Sequence, residues 1–291
     1  MYTIQTLNKI SDKGLSLLGN NYSIDKQHQD PDGIIVRSAK MHEMEFGNSL
    51  KAIARAGAGV NNIPIERCTE KGIVVFNTPG ANATAVKELV VAGLLLSSRK
   101  IVEGINWGQT LTENVAKTVE AGKSNFEGPE LYGKTIGVIG LGAIGVMVAN
   151  AAHSLGMEVI GYDPYISIQA AWGLSRNIHH AESLDEVLLG ADYITIHVPL
   201  LDETKHMFNK ELFSKIKPGL RLLNFSRDGL VNNNDVKEAI EQGKVACYVT
   251  DFPNEELLGN DKIIAIPHLG ASTPESEENC AVMASSQIKD Y

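Results

Sequence analysis

The chain has 291 residues, 43% hydrophobic and 21% charged, with a formal net charge of −9. These ordinary globular values exclude disordered and collagen-like chains, and the acidic balance argues against a general nucleic-acid partner. The longest apolar run, LVVAGLLL at 89–96, is too short for a bilayer span, and MYTIQTLNKI lacks the basic and apolar regions of a secretion signal.

Along the chain, short β-rich runs recur. YTIQTL, GIIVRS, KAIARAG and IVVFNT lie within the first 78 residues, and KTIGVIG, EVIGYD, YITIHV, LRLLNFS, VACYVT and KIIAIPH follow from residue 134. They are apolar almost throughout, as strands buried on both faces of a parallel sheet are. Helical patterns separate them, such as NATAVKELVVAGLLLSSRK at 82–100 and IGVMVANAAHSLG at 144–156, while 110–132 reads only as polar. This alternation predicts α/β architecture: a Rossmann-type doubly wound parallel sheet plus a smaller flavodoxin-like α/β domain. We place the small, substrate-binding domain at 1–82 and the larger, nucleotide-binding one at 83–273, with 274–291 leading back toward the first. That last segment reads as a helix running to Tyr291 with no closing turn residue, so a shortened C-terminus is expected.

The cysteines, Cys68, Cys247 and Cys280, are widely spaced and form no CxxC pair. Neither a metal site nor a disulfide framework is indicated, Cys247 reads as a core residue, and a reducing, cytoplasmic location is expected.

KTIGVIG runs straight into GLGAIG at 140–145, a helix opens from it, and the next strand ends in Asp163. Strand, glycine turn, helix and a following acid form the dinucleotide fingerprint. Gly140 permits the tight turn, Gly142 lets pyrophosphate approach the backbone, and Gly145 allows close packing of helix on strand. The helix N-terminus then offers unpaired N–H groups to the anion. Asp163 can accept from ribose hydroxyls and would repel a 2′-phosphate, so NAD is expected rather than NADP.

Ligands of such sheets bind beyond the carboxyl ends of the strands. There stand Arg227 after LRLLNFS, Glu255 and Glu256 after VACYVT, and His268 after KIIAIP. Singly, each has an ordinary explanation as a loop or surface residue. Together they suit dehydrogenation of a 2-hydroxy acid: a histidine to exchange the hydroxyl proton, a carboxylate to hold the imidazole, and a guanidinium to grip the substrate carboxylate.

With these residues in place the chain resembles the D-isomer-specific 2-hydroxy acid dehydrogenases, and within them the branch acting on D-3-phosphoglycerate in serine biosynthesis. The resemblance spans nearly the whole chain. Its carriers are VRSAK at 36–40, ARAGAGVNNI at 54–63, FNTPGANA at 76–83, GLGAIG with YDP, HVPL at 197–200, NFSRDG at 224–229, DFPNE at 251–255 and PHLGAST at 267–273. It implies Arg227, Glu255 and His268 as the catalytic set. It also implies substrate contacts at Ala58, Gly59 and Val60, with the phosphate held by Arg37 and Arg55 and assisted by Lys40. Implied NAD contacts are Ala143, Ile144, Asp163, Val198, Pro199, Ser226 and Asp251, beside the glycines of the turn. A homodimer through the nucleotide-binding domain is a further implication.

Two places depart from the pattern. Asp228-Gly229 stands where many relatives have Gly-Gly, and Thr250 stands where they often have an aspartate, with an acid one residue later at Asp251. A register shift of one would make Glu256 the catalytic acid; the phenylalanine-proline-x-glutamate match favours Glu255. The same motifs leave open two alternatives, a dehydrogenase of glycerate, hydroxypyruvate or lactate, and an NAD-sensing corepressor-like binding protein.

Overall fold

In the computed structural model, which describes every residue of the chain, two compact units form, Met1–Ala85 with Ala271–Tyr291, and Val86–Gly270. The first unit opens with β1 (Tyr2–Thr6), α1 (Asp12–Leu15), β2 (Tyr22–Ile24), β3 (Gly33–Val36), β4 (Ala52–Arg55), α2 (Ile65–Glu70) and β5 (Val74–Phe76). Its five strands lie in the order β2-β1-β3-β4-β5, all parallel. Alternate residues of the central strands feed two cores, as strand geometry requires. Ile4, Ile35 and Ala54 face one cluster; Ile34, Val36 and Ile53 face the other.

The second unit contains α3 (Ala83–Arg99), which begins just before its boundary, then α4 (Ile101–Gln109), α5 (Val115–Gly122) and a 3-10 turn at Lys123–Phe126. There follow β6 (Thr135–Ile139), α6 (Ala143–Ser154), β7 (Glu158–Tyr162), α7 (Ile168–Gly173), β8 (His179–His180), α8 (Leu184–Gly190) and β9 (Tyr193–Ile196). The unit closes with α9 (Lys210–Lys215), β10 (Leu220–Asn224), α10 (Asn233–Glu241), β11 (Val245–Thr250) and β12 (Ile263–Ala265). Ser183, Asn209 and Asn232 cap α8, α9 and α10, each side chain accepting a backbone N–H of the first turn. The seven strands run β12-β11-β10-β9-β6-β7-β8, all parallel.

One face of this sheet is covered by α3 and α6, through Val86, Val90, Leu94, Val148, Ala149 and Ala152. The other carries α8, α9 and α10, through Val187, Leu188, Phe213, Val236 and Ile240. The sheet is therefore doubly wound. The chain leaves β6 toward β7 and β8, then returns to β9 on the opposite side, which opens a crevice at the carboxyl ends of β6 and β9.

The last helix, α11 (Pro274–Asp290), returns to the first unit. It is capped by Thr273, whose hydroxyl accepts from Ser276 N at 3.1 Å. Cys280, Ala281, Ala284 and Ile288 join the core with Ile4, Ile35 and Ala54. All the cysteines are free and buried, and burial pushes the Cys247 thiol up to about 12, so it is an inert core group.

Two strands and one helix escape the sequence pattern. The edge strands β2 and β8 are short and mostly exposed, so they carry no apolar run. Helix α5 lies in the polar stretch and buries no residue; beside it, Trp107 packs on Phe126 with ring centroids 5.1 Å apart. No helix is long and apolar enough to cross a membrane.

Candidate active site

In the second unit, Gly140 takes φ +91 as the chain leaves β6, and its N–H donates to the Tyr162 carbonyl at 2.9 Å. A left-handed φ of this kind suits only glycine without strain. A Cβ on Gly145 would overlap the Gly140 carbonyl oxygen, which explains the glycine there. Gly142 precedes the first turn of α6 with no side-chain cap, and both it and Ala143 are exposed, so the helix start is open to an anion. Ile144 is half-buried behind them.

Asp163 follows β7. Its Oδ2 accepts from Leu141 N at 2.8 Å and its Oδ1 from Tyr165 N at 2.8 Å. Each oxygen keeps a second lone pair, so the carboxylate braces the glycine turn and can still receive a ribose hydroxyl.

Beyond β9, the Val198 carbonyl accepts from Ser226 Oγ at 2.6 Å, and the Pro199 carbonyl from Thr204 Oγ1 at 2.6 Å. Ser226 thereby ties the end of β10 to the end of β9. Asn224, only 1% exposed, accepts from Ser226 N at 3.2 Å and donates to the Arg227 carbonyl at 2.9 Å. It fixes the backbone of this turn. Burial pushes the hydroxyl of Tyr248 up to about 12, against an opposing pull from Thr250 and Asn224. The exposed Arg227 folds its Nη1 onto the Ser226 carbonyl at 2.6 Å.

Asp251 leaves β11 and is 2% exposed. Its carbonyl accepts from His268 N at 3.1 Å, and its Oδ2 accepts from Gly270 N at 3.3 Å. One residue thus holds both ends of the 268–270 segment. Burial raises the Asp251 carboxyl above the usual carboxylate range, with the His268 imidazole and the Arg227 guanidinium among the groups pulling it back. Its Oδ1 is buried without a partner.

His268 follows β12; it is exposed, and its ring meets Phe252 edge-on with centroids 5.2 Å apart. Glu255 is also exposed and makes no hydrogen bond or ion pair with His268. Glu256 is engaged elsewhere, its Oε2 accepting from Asn233 Nδ2 at 3.0 Å. Arg227, Glu255 and His268 therefore follow the carboxyl ends of three neighbouring strands, β10, β11 and β12. Arg227 and His268 both act on the Asp251 carboxyl.

These residues fit a dinucleotide. The open helix start suits pyrophosphate, Asp163 suits ribose, and the orphaned Asp251 Oδ1 suits an amide donor such as a nicotinamide carboxamide.

In the first unit, strand pairing sets Val36 opposite Arg55, so Arg37 and Arg55 stand at adjacent strand ends. Arg55 Nε donates to the Arg37 carbonyl at 3.0 Å. Asn8 Oδ1 accepts from the N–H groups of Arg37, Ser38 and Ala39 at 2.9, 3.0 and 3.1 Å, pinning the turn that carries Arg37. Lys40 is exposed beside it. Ala58, Gly59 and Val60 form a half-buried turn, with the Ala58 carbonyl accepting from Asn77 Nδ2 at 2.7 Å. Arg37 Nη1 lies 2.6 Å from Glu277 Oε1.

Sequence reasoning did not find Asn8, Asn224, Tyr248 or Glu277. For Asn224 a signal existed: an amide closing the apolar run LRLLN must find partners if it is buried. The partners of Asn8 and Glu277 lie far along the chain and left no local trace.

Residues 92–270 match the family described as D-isomer specific 2-hydroxyacid dehydrogenase, NAD binding domain. D-3-phosphoglycerate dehydrogenase of Methanocaldococcus jannaschii is 38% identical over 270 residues, covering 90% of this chain and 50% of that protein. The chain thus spans about half the length of the curated relatives it matches. A solved structure of NAD+-bound 3-phosphoglycerate dehydrogenase from Entamoeba histolytica superposes with TM-score 0.78 at 28% identity, covering 99% of this chain and 94% of that one. In fold alone, apo D-mandelate dehydrogenase of Rhodotorula graminis reaches TM-score 0.83 at 22% identity, covering 99% and 93%. The second unit is an NAD-binding domain, and the chain belongs to the D-isomer specific 2-hydroxyacid dehydrogenases.

Proposed function

We propose that this protein oxidises D-3-phosphoglycerate to 3-phosphohydroxypyruvate, the entry reaction of serine biosynthesis. Bound NAD+ would supply the hydride acceptor. The C2–H bond breaks as hydride leaves, the hydroxyl proton passes to His268, and the C2–O bond becomes a carbonyl. His268 acts as base because imidazole exchanges protons near neutral pH. Arg227 grips the substrate carboxylate and polarises the forming carbonyl. Glu255 stabilises the imidazolium through a hydrogen bond that forms with substrate in place, as catalytic hydrogen bonds often do. In the first unit, substrate-binding roles fall to the backbone at Ala58, Gly59 and Val60 and, for the phosphate, to Arg37 and Arg55.

The observation that carries this reading is the placement of Arg227, Glu255 and His268 at the carboxyl ends of three adjacent strands of an NAD-binding domain. The phosphate assignment is supported by the two arginines at neighbouring strand ends and by relatives named for phosphoglycerate. The free, buried cysteines suit the reducing cytoplasm. Exposed Leu95, Ile101, Ile105 and Val115 on and after α3 favour a homodimer through the second unit.

The test is NADH formation across D-3-phosphoglycerate, D-glycerate and D-lactate, by wild type and by the Arg37→Ala/Arg55→Ala double variant. The reading requires a preference for the phosphorylated acid that the variant loses by about 100-fold or more, two charge-assisted contacts together being worth about 3 kcal/mol. Equal turnover of all three acids by wild type would overturn it.

A further inference from the structure

The Arg37–Glu277 pair joins β3's end to the first turn of α11 within the first unit. Taking Arg37 as a phosphate ligand, as proposed above, Glu277 occupies the same guanidinium that the substrate needs. We infer that Glu277 is a specificity-determining residue: its carboxylate holds Arg37 until a phosphate dianion displaces it.

The chemistry favours such an exchange. Both side chains are partly open to solvent, 37% and 43%, so the pair is a weak, reversible one. A carboxylate brings one negative charge and a phosphate about two, with three acceptor oxygens. Arg37 itself does not drift: Asn8 pins its backbone from three N–H groups, and its carbonyl receives Arg55 Nε at 3.0 Å. Only the guanidinium must change partner.

Displaced Glu277 has other cations nearby. It lines a cavity of about 580 Å³ whose walls include Lys9 and Lys26, neither of which has an ion-pair partner. Its place in the first turn of α11 also favours a negative charge through the helix dipole. A substrate lacking the phosphate leaves the Arg37–Glu277 pair intact and gains nothing from Arg37. The pair therefore takes back part of what Arg37 gives a phosphorylated substrate and leaves an unphosphorylated one untouched, so it sets how far the two are discriminated.

The experiment compares wild type, Glu277→Gln and Arg37→Ala, with KM measured for D-3-phosphoglycerate and D-glycerate and with calorimetric binding of each acid to the protein. Glu277→Gln keeps a side chain of the same size on an exposed helix turn. It is expected to lower KM and Kd for the phosphorylated acid about three- to fivefold, the scale of one exposed ion pair, and to leave D-glycerate unchanged. Added salt should shrink that gain. Should Arg37→Ala weaken phosphoglycerate while Glu277→Gln changes nothing, raises KM, or shifts both acids alike, the inference fails and the proposed function stands. Unaltered phosphoglycerate binding in Arg37→Ala would remove the phosphate assignment and this inference with it.

Discussion

Replacing His197 by glutamine should flatten part of the protein's loss of stability in acid. His197 stands in HVPL, just past β9 and behind the glycine turn: a Cβ on Gly140 would lie 2.7 Å from the His197 carbonyl. Its Nε2 shares a 2.9 Å hydrogen bond with Thr195 Oγ1, and its Nδ1 is buried without a partner. Burial pulls the imidazole down from 6.5 to about 4. The unfolded chain therefore binds the proton more tightly than the folded one, and stability falls as pH falls from 6.5 toward 4. At pH 5 the unfolded state gains about 30-fold from protonation, or about 2 kcal/mol, against almost nothing at pH 7. Within a total of about 5–15 kcal/mol, that is readily measured. Glutamine places an amide near the Nε2 position, keeps a partner for Thr195 and cannot titrate. Urea unfolding at both pH values, followed by circular dichroism, should show wild type losing about 2 kcal/mol more than His197→Gln on acidification. Parallel losses in the two proteins would refute the assignment of a neutral, enclosed imidazole.

Other residues make separate predictions. Asp251 has a raised carboxyl pKa, so the folded state keeps this proton to higher pH than the unfolded state does, and stability is lost as pH rises beyond 3.8. Asp251→Asn should therefore gain in melting temperature relative to wild type between pH 4 and pH 7; a pH-independent difference would contradict this. Ile288→Ala removes a side chain only 6% exposed from the core under α11 and should cost about 2–5 kcal/mol in unfolding titrations. A cost below about 0.5 kcal/mol would show that α11 is not integral to the first unit. Asp163→Asn keeps an acceptor for Leu141 N but loses the charge that repels a 2′-phosphate, so the preference for NAD+ over NADP+ should fall by about tenfold in binding measurements. An unchanged preference would place the ribose elsewhere.

Much of this was legible from the chain. Runs such as LRLLNFS and VACYVT announce strands buried on both faces, and the step from KTIGVIG into GLGAIG dictates a turn only glycine can make. Both signals are local, so they survive without knowledge of partners. The short strands β2 and β8 were not legible, because an exposed edge strand carries neither an apolar run nor a clear alternation. The uncapped, fully surface-lying α5 failed for a similar reason: with no residue buried, nothing in its composition records a packed face. At the site, chain order placed Arg227, Glu255 and His268 at strand ends. It could not show that Asp251 holds the histidine segment, or that Asn224 knits the arginine turn. Such contacts depend on strand neighbours distant in sequence. The Arg37–Glu277 pair, spanning nearly the whole chain, is the extreme case.

Whether His268 carries the oxidation is decided by following NADH formation from D-3-phosphoglycerate by wild type and by His268→Asn, with NADH affinity measured in parallel. Wild type should turn over, and the variant should lose about 100- to 10,000-fold, at nearly equal NADH affinity. Undiminished turnover in His268→Asn, or tight NADH binding by wild type with no turnover of any D-2-hydroxy acid, would contradict this.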